Sequence, residues 1–114
     1  MADASCLFCK IIDRKISSSV IFETEDVLGF NDIHPQAPVH ALFIPKRHIA
    51  DVQQLAAGDG TVDRFVNAAN QSARQMKLDA GYRLVINCRA DGGQTVDHLH
   101  LHLLGGRKMT WPPG

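Results

Sequence analysis

Histidine alternates with leucine in the stretch DHLHLHLL at residues 97–104, and this pattern constrains the fold more than any other in the chain. Successive side chains of a strand point to opposite faces, so His98, His100 and His102 would share one face and the leucines between them the other. A helix with 3.6 residues per turn would scatter the same histidines around its axis. The stretch therefore predicts a strand whose leucines pack on a core and whose imidazoles face outward or line a cleft.

The rest of the chain predicts an α+β fold in one domain over residues 1–114. A chain of 114 residues, of which 45% are apolar, is long enough for one packed core and too short for two. From Thr61 to about Asp79, apolar residues recur at helical spacing and predict one long amphipathic helix. Asp59 or Thr61 would cap its start, and Gly81 would supply the left-handed residue that ends it.

Shorter patterns predict the remaining elements. Apolar residues in CLFCKIID and in HIADVQQLA are spaced as in short helices. The stretches SVIFET, VLGFND, VHALFIP and YRLVINC look like strands, the first two joined by a tight hairpin at residues 24–26. With residues 97–104 they make a five-stranded, mostly antiparallel sheet, which the long helix covers on one face. The stretch RADGGQT is the turn before the last strand.

Charge and hydropathy exclude several classes of partner. Twelve basic and twelve acidic residues cancel, and nucleic acids are held by an excess of Lys and Arg, so we expect no nucleic-acid partner. The opening MADASC has neither the basic start nor the apolar run of a secretory signal, and no apolar stretch is long enough to span a bilayer. We therefore expect no membrane partner and a location in the cytoplasm, with the nucleus as a further location.

The cysteines indicate a metal or redox site near the start of the chain. In a reducing compartment three cysteines are poor material for disulfides, and the C-x-x-C spacing of Cys6 and Cys9 favours metal binding or redox chemistry. Cys88 stands alone and is interpreted as a small core residue.

Three interpretations of the histidine row remain open at this point: a nucleophilic active site, a metal site, or unrelated surface histidines. Neighbouring, buried imidazoles disfavour each other's protonation, so at least one should be neutral near pH 7 and able to attack phosphorus. The glycines of DGGQT would let backbone N–H groups approach a phosphate, and Thr95 adds a hydroxyl donor. A tetrahedral metal site built on two or three of the histidines is the main rival.

The chain resembles the histidine triad (HIT) superfamily, whose signature of His-x-His-x-His and two apolar residues is met by HLHLHLL. The resemblance extends over CLFCKII, GFNDIHPQAPVHALFIPKRHI and INCRADGGQTVDHLHLHLLGGRKMTWPPG, and the final GGRKMTWPPG is similar to the Hint branch. It implies a homodimer in which two five-stranded sheets join into one and the two long helices pack together. It also implies hydrolysis of purine nucleoside phosphoramidates and related nucleotidyl substrates, with release of AMP or GMP through a nucleotidyl-histidine intermediate.

The same resemblance implies roles for single residues, with His100 as the nucleophile and Asp32 holding the ribose hydroxyls. The catalytic residues it implies are His100, His102, His40, His98 and Thr95. The nucleotide-binding residues it implies are Leu7, Phe8, Ile11, Phe30 and Ile33 around the base, Asp32 at the ribose, and Asn87, Gln94, Thr95, His100 and His102 around the phosphate. The tail at residues 111–114 would lie across the dimer interface and shape the choice of leaving group.

Some members of the superfamily carry a structural zinc site, and this chain has matching ligand types at the matching places. They are Cys6, Cys9, His48 and His98. Two thiolates and two imidazoles form a closed tetrahedral site, which is a structural arrangement. The zinc would tie the N-terminal turn to the catalytic strand, and the chemistry itself would need no cofactor.

Two other functions remain open under the same resemblance. One is a nucleotide-binding regulatory or interaction protein in which hydrolysis is incidental, and the other is a dinucleoside polyphosphate hydrolase, which the Hint-like C-terminus disfavours. The chain departs from the common pattern of the branch at His34, Thr95 and Asp97. Thr95 keeps the hydroxyl of the usual serine, so we expect activity to survive.

Overall fold

The computed structural model describes residues 5–114 and shows an α+β fold built on a five-stranded sheet. Residues 1–4, which entered the expectation about a secretory signal, lie outside the described residues. Within the described part, no helix has the length and apolar character needed to cross a bilayer. In chain order the elements are α1 (Leu7–Ile12), β1 (Val20–Glu23), β2 (Val27–Asn31), β3 (Val39–Pro45), α2 (Thr61–Gln75), β4 (Tyr82–Val85), α3 (Arg89–Gly92) and β5 (Leu101–Gly105).

The strands pair in the order β1-β2-β3-β5-β4, and each of these pairings is antiparallel. The predicted hairpin at residues 24–26 joins β1 to β2 and is closed by a hydrogen bond from the Thr24 N–H to the carbonyl of Val27 at 2.8 Å. Because β5 lies beside β3, His102 stands opposite Leu42, and His40 stands opposite Leu104. Opposite residues of an antiparallel pair share a face, so His40 and His102 are diagonal neighbours on one face.

Apolar side chains fill both faces of the sheet. On one face, α2 covers a cluster to which it contributes Phe65 and the sheet side contributes Phe43, Leu99, Leu101 and Leu103. On the other face, α1 covers a second cluster, formed by Cys6, Phe8, Cys9, Leu28, Phe30, Leu42 and Ile44. The leucines of the alternating stretch therefore pack under the long helix, as the sequence predicts.

The prediction of a strand over residues 97–104 is wrong at its start. The ladder of β5 begins only at Leu101 and runs to Gly105. Before it, the Leu99 N–H donates to the carbonyl of Ile49 at 2.7 Å instead of to a neighbouring strand. Leu99 is nevertheless fully buried in the α2-side cluster together with Leu101 and Leu103. The side chains therefore alternate between the two faces even where no strand ladder forms. Burial fixes the position of the Leu99 side chain, while its backbone N–H bonds to the loop residue Ile49.

The long helix starts as predicted but ends at Gln75 rather than near Asp79. At its start the residue in the N-cap position is Gly60, and Asp59 Oδ1 accepts the Thr61 N–H at 3.1 Å. At its end the left-handed residue is Lys77, with φ of 59°, and the prediction that Gly81 fills this role is wrong. The Lys77 and Leu78 N–H groups donate to the carbonyls of Arg74 and Ala73, which is the Schellman arrangement.

Two loops contain short helical turns that differ from the predictions. The stretch HIADVQQLA forms only a 3-10 turn at Val52–Gln54, started by Asp51, whose carboxylate accepts the Gln53 N–H at 2.9 Å. The turn RADGGQT contains the single-turn helix α3, which ends at Gly93 with φ of 84°. Apolar spacing predicted a helix in the first stretch, but only the turn started by the Asp51 side chain forms there, and the turn that ends at Gly93 had no apolar periodicity to predict it.

Candidate active site

Four histidines gather on the α1 face of the sheet. His40 belongs to β3 and His102 to β5, while His98 and His100 lie in the segment that leads into β5. His98, His40 and His100 are buried, and His102 is half-buried. The ring centroids of His100 and His102 are 4.9 Å apart, and those of His40 and His102 are 5.2 Å apart. The predicted sharing of one face by the imidazoles is confirmed.

The hydrogen bond made by His100 fixes which of its ring nitrogens can react. His100 Nδ1 lies 2.7 Å from the carbonyl oxygen of His98. A carbonyl only accepts, so Nδ1 carries the proton and donates it. In the neutral ring, Nε2 is then left with a lone pair and no proton. His100 therefore offers Nε2 as a nucleophile.

A backbone N–H fixes the tautomers of the other two imidazoles in the same way. The Gln36 N–H donates to His40 Nδ1 at 3.0 Å, so neutral His40 must carry its proton on Nε2. His40 Nε2 lies 2.9 Å from His102 Nδ1 and donates to it, which leaves the proton of neutral His102 on its Nε2. His102 Nε2 is thus a hydrogen-bond donor on a ring whose centroid lies 4.9 Å from that of His100. Sequence reasoning missed Gln36, because a backbone donor in a loop has no residue-type signature.

Burial keeps these imidazoles neutral near pH 7. Desolvation lowers the pKa of His100 below its ordinary value, and it lowers the pKa of His40 as well, although the Asp32 carboxylate opposes the effect at both. Desolvation, followed by repulsion from His100 and His40, lowers the pKa of His102 to about 4. Uncharged imidazoles have the lone pairs that nucleophilic chemistry requires.

Asp32 lies at the end of the imidazole row. Its Oδ1 accepts the His34 N–H at 2.8 Å, and its Oδ2 lies 3.5 Å from His40 Nε2. The side chain of His34 is exposed and takes no part in the bond to Asp32, which uses only the backbone. The carboxylate is therefore held at the rim of the histidine cluster, where a diol could bind to it.

The apolar residues predicted to surround a base fall into two groups. Phe8 and Phe30 are buried with ring centroids 5.6 Å apart, and Phe8 stands edge-on to the ring of His100 at 5.1 Å. Ile11 packs at the edge of the same cluster. Leu7 and Ile33 are outside it, and Ile33 is 84% exposed. The structure thus brings Phe8, Phe30 and Ile11 together beside His100 and leaves two apolar side chains at the surface.

The loop before β5 is organised by Gln94. The Arg89 N–H donates to Gln94 Oε1 at 2.8 Å, and Gln94 Nε2 donates to the carbonyls of Ala50 and Val96 at 2.8 and 2.9 Å. With its amide bound in this way, Gln94 holds the loop in shape, and its predicted contact with the nucleotide stays a prediction. Thr95 is exposed and Asn87 is half-buried, so both side chains remain accessible to a ligand.

Cys6, Cys9, His48 and His98 converge at the junction between α1 and the segment before β5, with all four ligand atoms within 4.8 Å of one another. His98 Nδ1 lies 3.4 Å from Cys6 Sγ and 3.5 Å from Cys9 Sγ, and His48 Nδ1 lies 3.3 Å from Cys9 Sγ. In tetrahedral zinc sites, sulfur and nitrogen ligands are about 3.6 Å apart. The separations of these four residues fit such a site.

The environment of His98 supports the same fit. His98 Nε2 lies 2.9 Å from the carbonyl of Pro45 and donates to it, so Nδ1 keeps its lone pair toward the two thiols. Metal-ligating imidazoles commonly donate their other N–H to a carbonyl, which fixes the ring orientation. The predicted ligand set is therefore brought together with the correct tautomer at His98.

A second cluster with metal-binding residue types does not fit a metal. Asp32, His40 and His102 also have ligand atoms within 4.8 Å of one another. However, the Gln36 N–H occupies His40 Nδ1, so His40 Nε2 holds a proton and has no lone pair for a cation. This cluster is a hydrogen-bonded chain that ends at His102.

Comparison with known proteins agrees with this geometry. The chain is 45% identical over 111 residues to a 14 kDa zinc-binding protein of Brassica juncea, covering 95% of this chain and 98% of the relative. It is 44% identical over 116 residues to an adenylylsulfatase HINT1 of Arabidopsis thaliana, covering 99% and 79% of the two chains. A crystal structure of a HIT family hydrolase from Legionella pneumophila superposes with a TM-score of 0.92 at 49% identity, over 96% of this chain and 100% of that one. Residues 13–109 match the HIT domain, and the chain belongs to the HIT domain family.

Proposed function

We propose that this chain hydrolyses purine nucleoside phosphoramidates and related nucleotidyl substrates, releasing AMP or GMP through a nucleotidyl group carried by His100. The observation that carries the proposal is the 2.7 Å bond from His100 Nδ1 to the His98 carbonyl. It leaves a neutral lone pair on His100 Nε2, beside the donor His102 Nε2. A neutral nucleophile next to a hydrogen-bond donor suits attack on an anionic phosphoryl group.

The reaction would run in two steps at phosphorus. In the first, His100 Nε2 forms a bond to the α-phosphorus while the bond from phosphorus to the leaving nitrogen breaks, and that nitrogen takes a proton from solvent as the amine departs. Positive charge develops on the His100 ring, and the His98 carbonyl stabilises it by accepting the Nδ1–H. In the second, water attacks phosphorus and releases a proton to solvent, which replaces the proton taken in the first step, the bond to Nε2 breaks, and the monophosphate leaves with neutral His100 restored.

Specificity would come from residues on either side of the nucleophile. Phe8 and Phe30 offer aromatic surface beside His100 for a purine, and the Asp32 carboxylate can accept from both hydroxyls of a ribose. The Arabidopsis relative carries the name adenylylsulfatase. Adenylyl sulfate and a nucleoside phosphoramidate present the same α-phosphoryl centre and differ in the leaving group, so that name supports the nucleotidyl class of substrate.

The deciding experiment follows monophosphate release from an adenosine phosphoramidate by the wild type, by His100→Ala and by His34→Ala. We expect His100→Ala to lose at least about 10³-fold in kcat, since a removed nucleophile abolishes the chemical step. The matched control His34→Ala removes an exposed histidine and should retain full turnover. A wild type without turnover, or equal turnover by His100→Ala, would contradict the proposal.

Two added measurements separate the alternatives. A higher kcat/KM on a dinucleoside polyphosphate than on the phosphoramidate would favour the dinucleoside polyphosphate hydrolase. Binding of AMP without turnover of either substrate would favour the nucleotide-binding interaction protein. Under our proposal, a His100→Gly variant still binds AMP, because the base and ribose contacts are intact.

We also propose that Cys6, Cys9, His48 and His98 hold one structural zinc ion. When bound, a zinc ion with four protein ligands supplies a cross-link rather than a reactive water. The cross-link would join α1, which carries Phe8, to the segment that carries His100. Support comes from the ligand separations and from the relative named as zinc-binding.

A homodimer joined through β4 is part of the same proposal. β4 pairs with β5 on one side and forms one edge of the sheet. Its Tyr82 is 38% exposed, and Trp111 of the C-terminal tail is 82% exposed. Continuing the sheet across β4 would cover this edge, which otherwise presents unpaired backbone groups. The proposed location is the cytoplasm, with the nucleus as a further location, and it rests on the sequence alone.

A further inference from the structure

The segment from His48 to Asp51 touches the chain before β5 at every residue. The His48 ring stands edge-on to the His98 ring at 5.0 Å, and the Ile49 carbonyl accepts the Leu99 N–H at 2.7 Å. The Ala50 carbonyl accepts from Gln94 Nε2 at 2.8 Å. Asp51 Oδ2 accepts from Arg89 Nε at 2.9 Å. These four contacts form a continuous seam, which runs from the zinc ligands to the start of the loop at residues 89–95.

Arg89 ends this seam in a conformation that arginine rarely adopts. Its φ is 59°, in the left-handed region, which is unfavourable for a residue other than glycine. A glycine would take this conformation more easily. The ion pair with Asp51 and the bond from the Arg89 N–H to Gln94 oppose that cost. The side chain of Arg89 thus holds in place a turn that its own backbone disfavours.

Asp51 is a rigid anchor for this contact. The residue is 6% exposed, and its Oδ1 is already engaged by the Gln53 N–H at 2.9 Å, which starts the 3-10 turn. The Arg89 guanidinium holds the pKa of the Asp51 carboxyl below its usual value, so the pair is ionised at neutral pH. One oxygen therefore binds the 3-10 turn and the other binds the loop.

We propose that the Arg89–Asp51 ion pair positions the loop at residues 89–95 against His100, which makes both of them positioning residues for the transfer of the nucleotidyl group. This rests on the proposed function, since the loop carries Thr95 and the backbone N–H groups that would meet the phosphate. Donors aimed at a phosphoryl group stabilise the transition state only if they are held in place beforehand. Loosening the loop should therefore lower kcat more than it raises KM.

The chain contains a matched control for this pair. Arg14 also has φ of 59° and also forms an ion pair, with Glu23 at 3.1 Å, but it lies just after α1 and its ion pair joins it to β1 rather than to residues 89–99. Arg14→Gly therefore makes the same chemical change, at the same backbone conformation, outside the seam. A difference between Arg89→Gly and Arg14→Gly reports the position of Arg89 rather than the loss of an arginine.

The experiment measures phosphoramidate turnover and backbone hydrogen exchange for the wild type, Arg89→Gly, Arg89→Lys, Asp51→Asn, the double variant Arg89→Gly/Asp51→Asn and the control Arg14→Gly. We expect Arg89→Gly to lower kcat about tenfold with KM changed less than about twofold. Arg89→Lys should recover most of the rate, and the double variant should be no worse than the more impaired single variant. Amides of residues 89–96 should exchange faster in Arg89→Gly, whereas Arg14→Gly should match the wild type in both measurements.

The outcomes that overturn the proposal are distinct from those that overturn the proposed function. If Arg89→Gly matches Arg14→Gly in hydrogen exchange at residues 89–96, the ion pair does not hold the loop. If KM rises at unchanged kcat, Arg89 binds substrate and is not a positioning residue. A wild type that is inactive on phosphoramidates defeats the proposed function, and with it the claim about nucleotidyl transfer, while hydrogen exchange still decides whether the pair holds the loop.

Discussion

Each ring nitrogen in the histidine cluster has a different partner, and these partners distinguish residues that the sequence makes look alike. The period of two predicts a shared face for His98, His100 and His102, and the structure agrees. It cannot predict tautomers, because these depend on the carbonyls of His98 and Pro45 and on the N–H of Gln36. Every residue has a backbone carbonyl and every residue except proline a backbone N–H, so only the fold shows which imidazole faces such a group.

At the residue scale, the depressed pKa of His102 predicts a loss of stability in acid. His40, His100 and Asp32 face this ring, and its pKa is about 4 in the folded chain against about 6.5 in an unfolded one. Between these values the unfolded chain binds a proton that folded His102 does not. The free energy of unfolding should therefore fall as the pH is lowered from about 6.5 to about 4, and this contribution should level off below that.

Urea denaturation at a series of pH values measures this dependence, with His102→Gln as the comparison. The variant lacks the titrating ring, so its free energy of unfolding should fall less steeply over the same range. The other buried histidines titrate in both proteins and contribute to both curves. Equal slopes for the two proteins would show that the burial of His102 has no such effect.

At the element scale, most strands follow from local patterns, while the boundaries depend on contacts with distant residues. The first three predicted strands and the helix in CLFCKIID are found at the predicted places. The start of β5 could not be predicted, because the Leu99 N–H bonds to Ile49, fifty residues earlier in the chain. The end of α2 was misjudged for another reason: the bonds from the Lys77 and Leu78 N–H groups hold a lysine where glycine is usual.

The proposed zinc site makes a prediction about α1, because this six-residue helix is too short to be stable alone. Protein purified without chelator should contain about one zinc per chain, and Cys9→Ser should lose it. Without the cross-link we expect Tm to fall by about 10 °C, since a ligand present at 100 times its Kd stabilises a fold by about 2.7 kcal/mol. Affinity for AMP should fall as well, because Phe8 is carried by α1.

The control for this measurement is Cys88→Ser, which changes a half-buried cysteine outside the cluster and should keep both the zinc and the Tm. Zinc well below one ion per chain in the wild type would contradict the proposed site. Full zinc content with an unchanged Tm in Cys9→Ser would also contradict it.

At the scale of the whole molecule, the two edges of the sheet are not equivalent. β1 is the edge that begins the sheet, and Val20 on it is 41% exposed. β4 is the other edge, with exposed Tyr82 and with the C-terminal tail nearby, where Arg83 Nη2 donates to the Thr110 carbonyl at 2.8 Å. An open cleft of about 650 Å³ lies between residues 77–83, which follow α2 and begin β4, and residues 106–109, which follow β5. We therefore propose the β4 edge as the side on which a second chain would pair, because exposed side chains lie beside the backbone groups of this edge strand.

Light scattering should accordingly give a mass twice the 12.5 kDa of one chain. Tyr82→Lys should shift this mass toward that of one chain, because it places a charge at the joined edge, which is a common means of keeping strands apart. Val20→Lys makes a comparable change on the opposite edge and should leave the dimer intact. A monomeric wild type, or a dimer broken only by Val20→Lys, would refute joining through β4.

The two faces of the sheet also bear on how this molecule can change over generations. Adjacent residues of β5 have different contacts. Leu101 and Leu103 pack in the cluster under the long helix, while His102 between them is hydrogen-bonded to His40 on the other face. Substitutions on the helix-covered face can change thermal stability without displacing the histidines. Substitutions on the other face can change substrate preference without creating cavities in the cluster under the helix. Because neighbouring residues of such a strand lie on different faces, stability and substrate preference can be selected independently at adjacent positions.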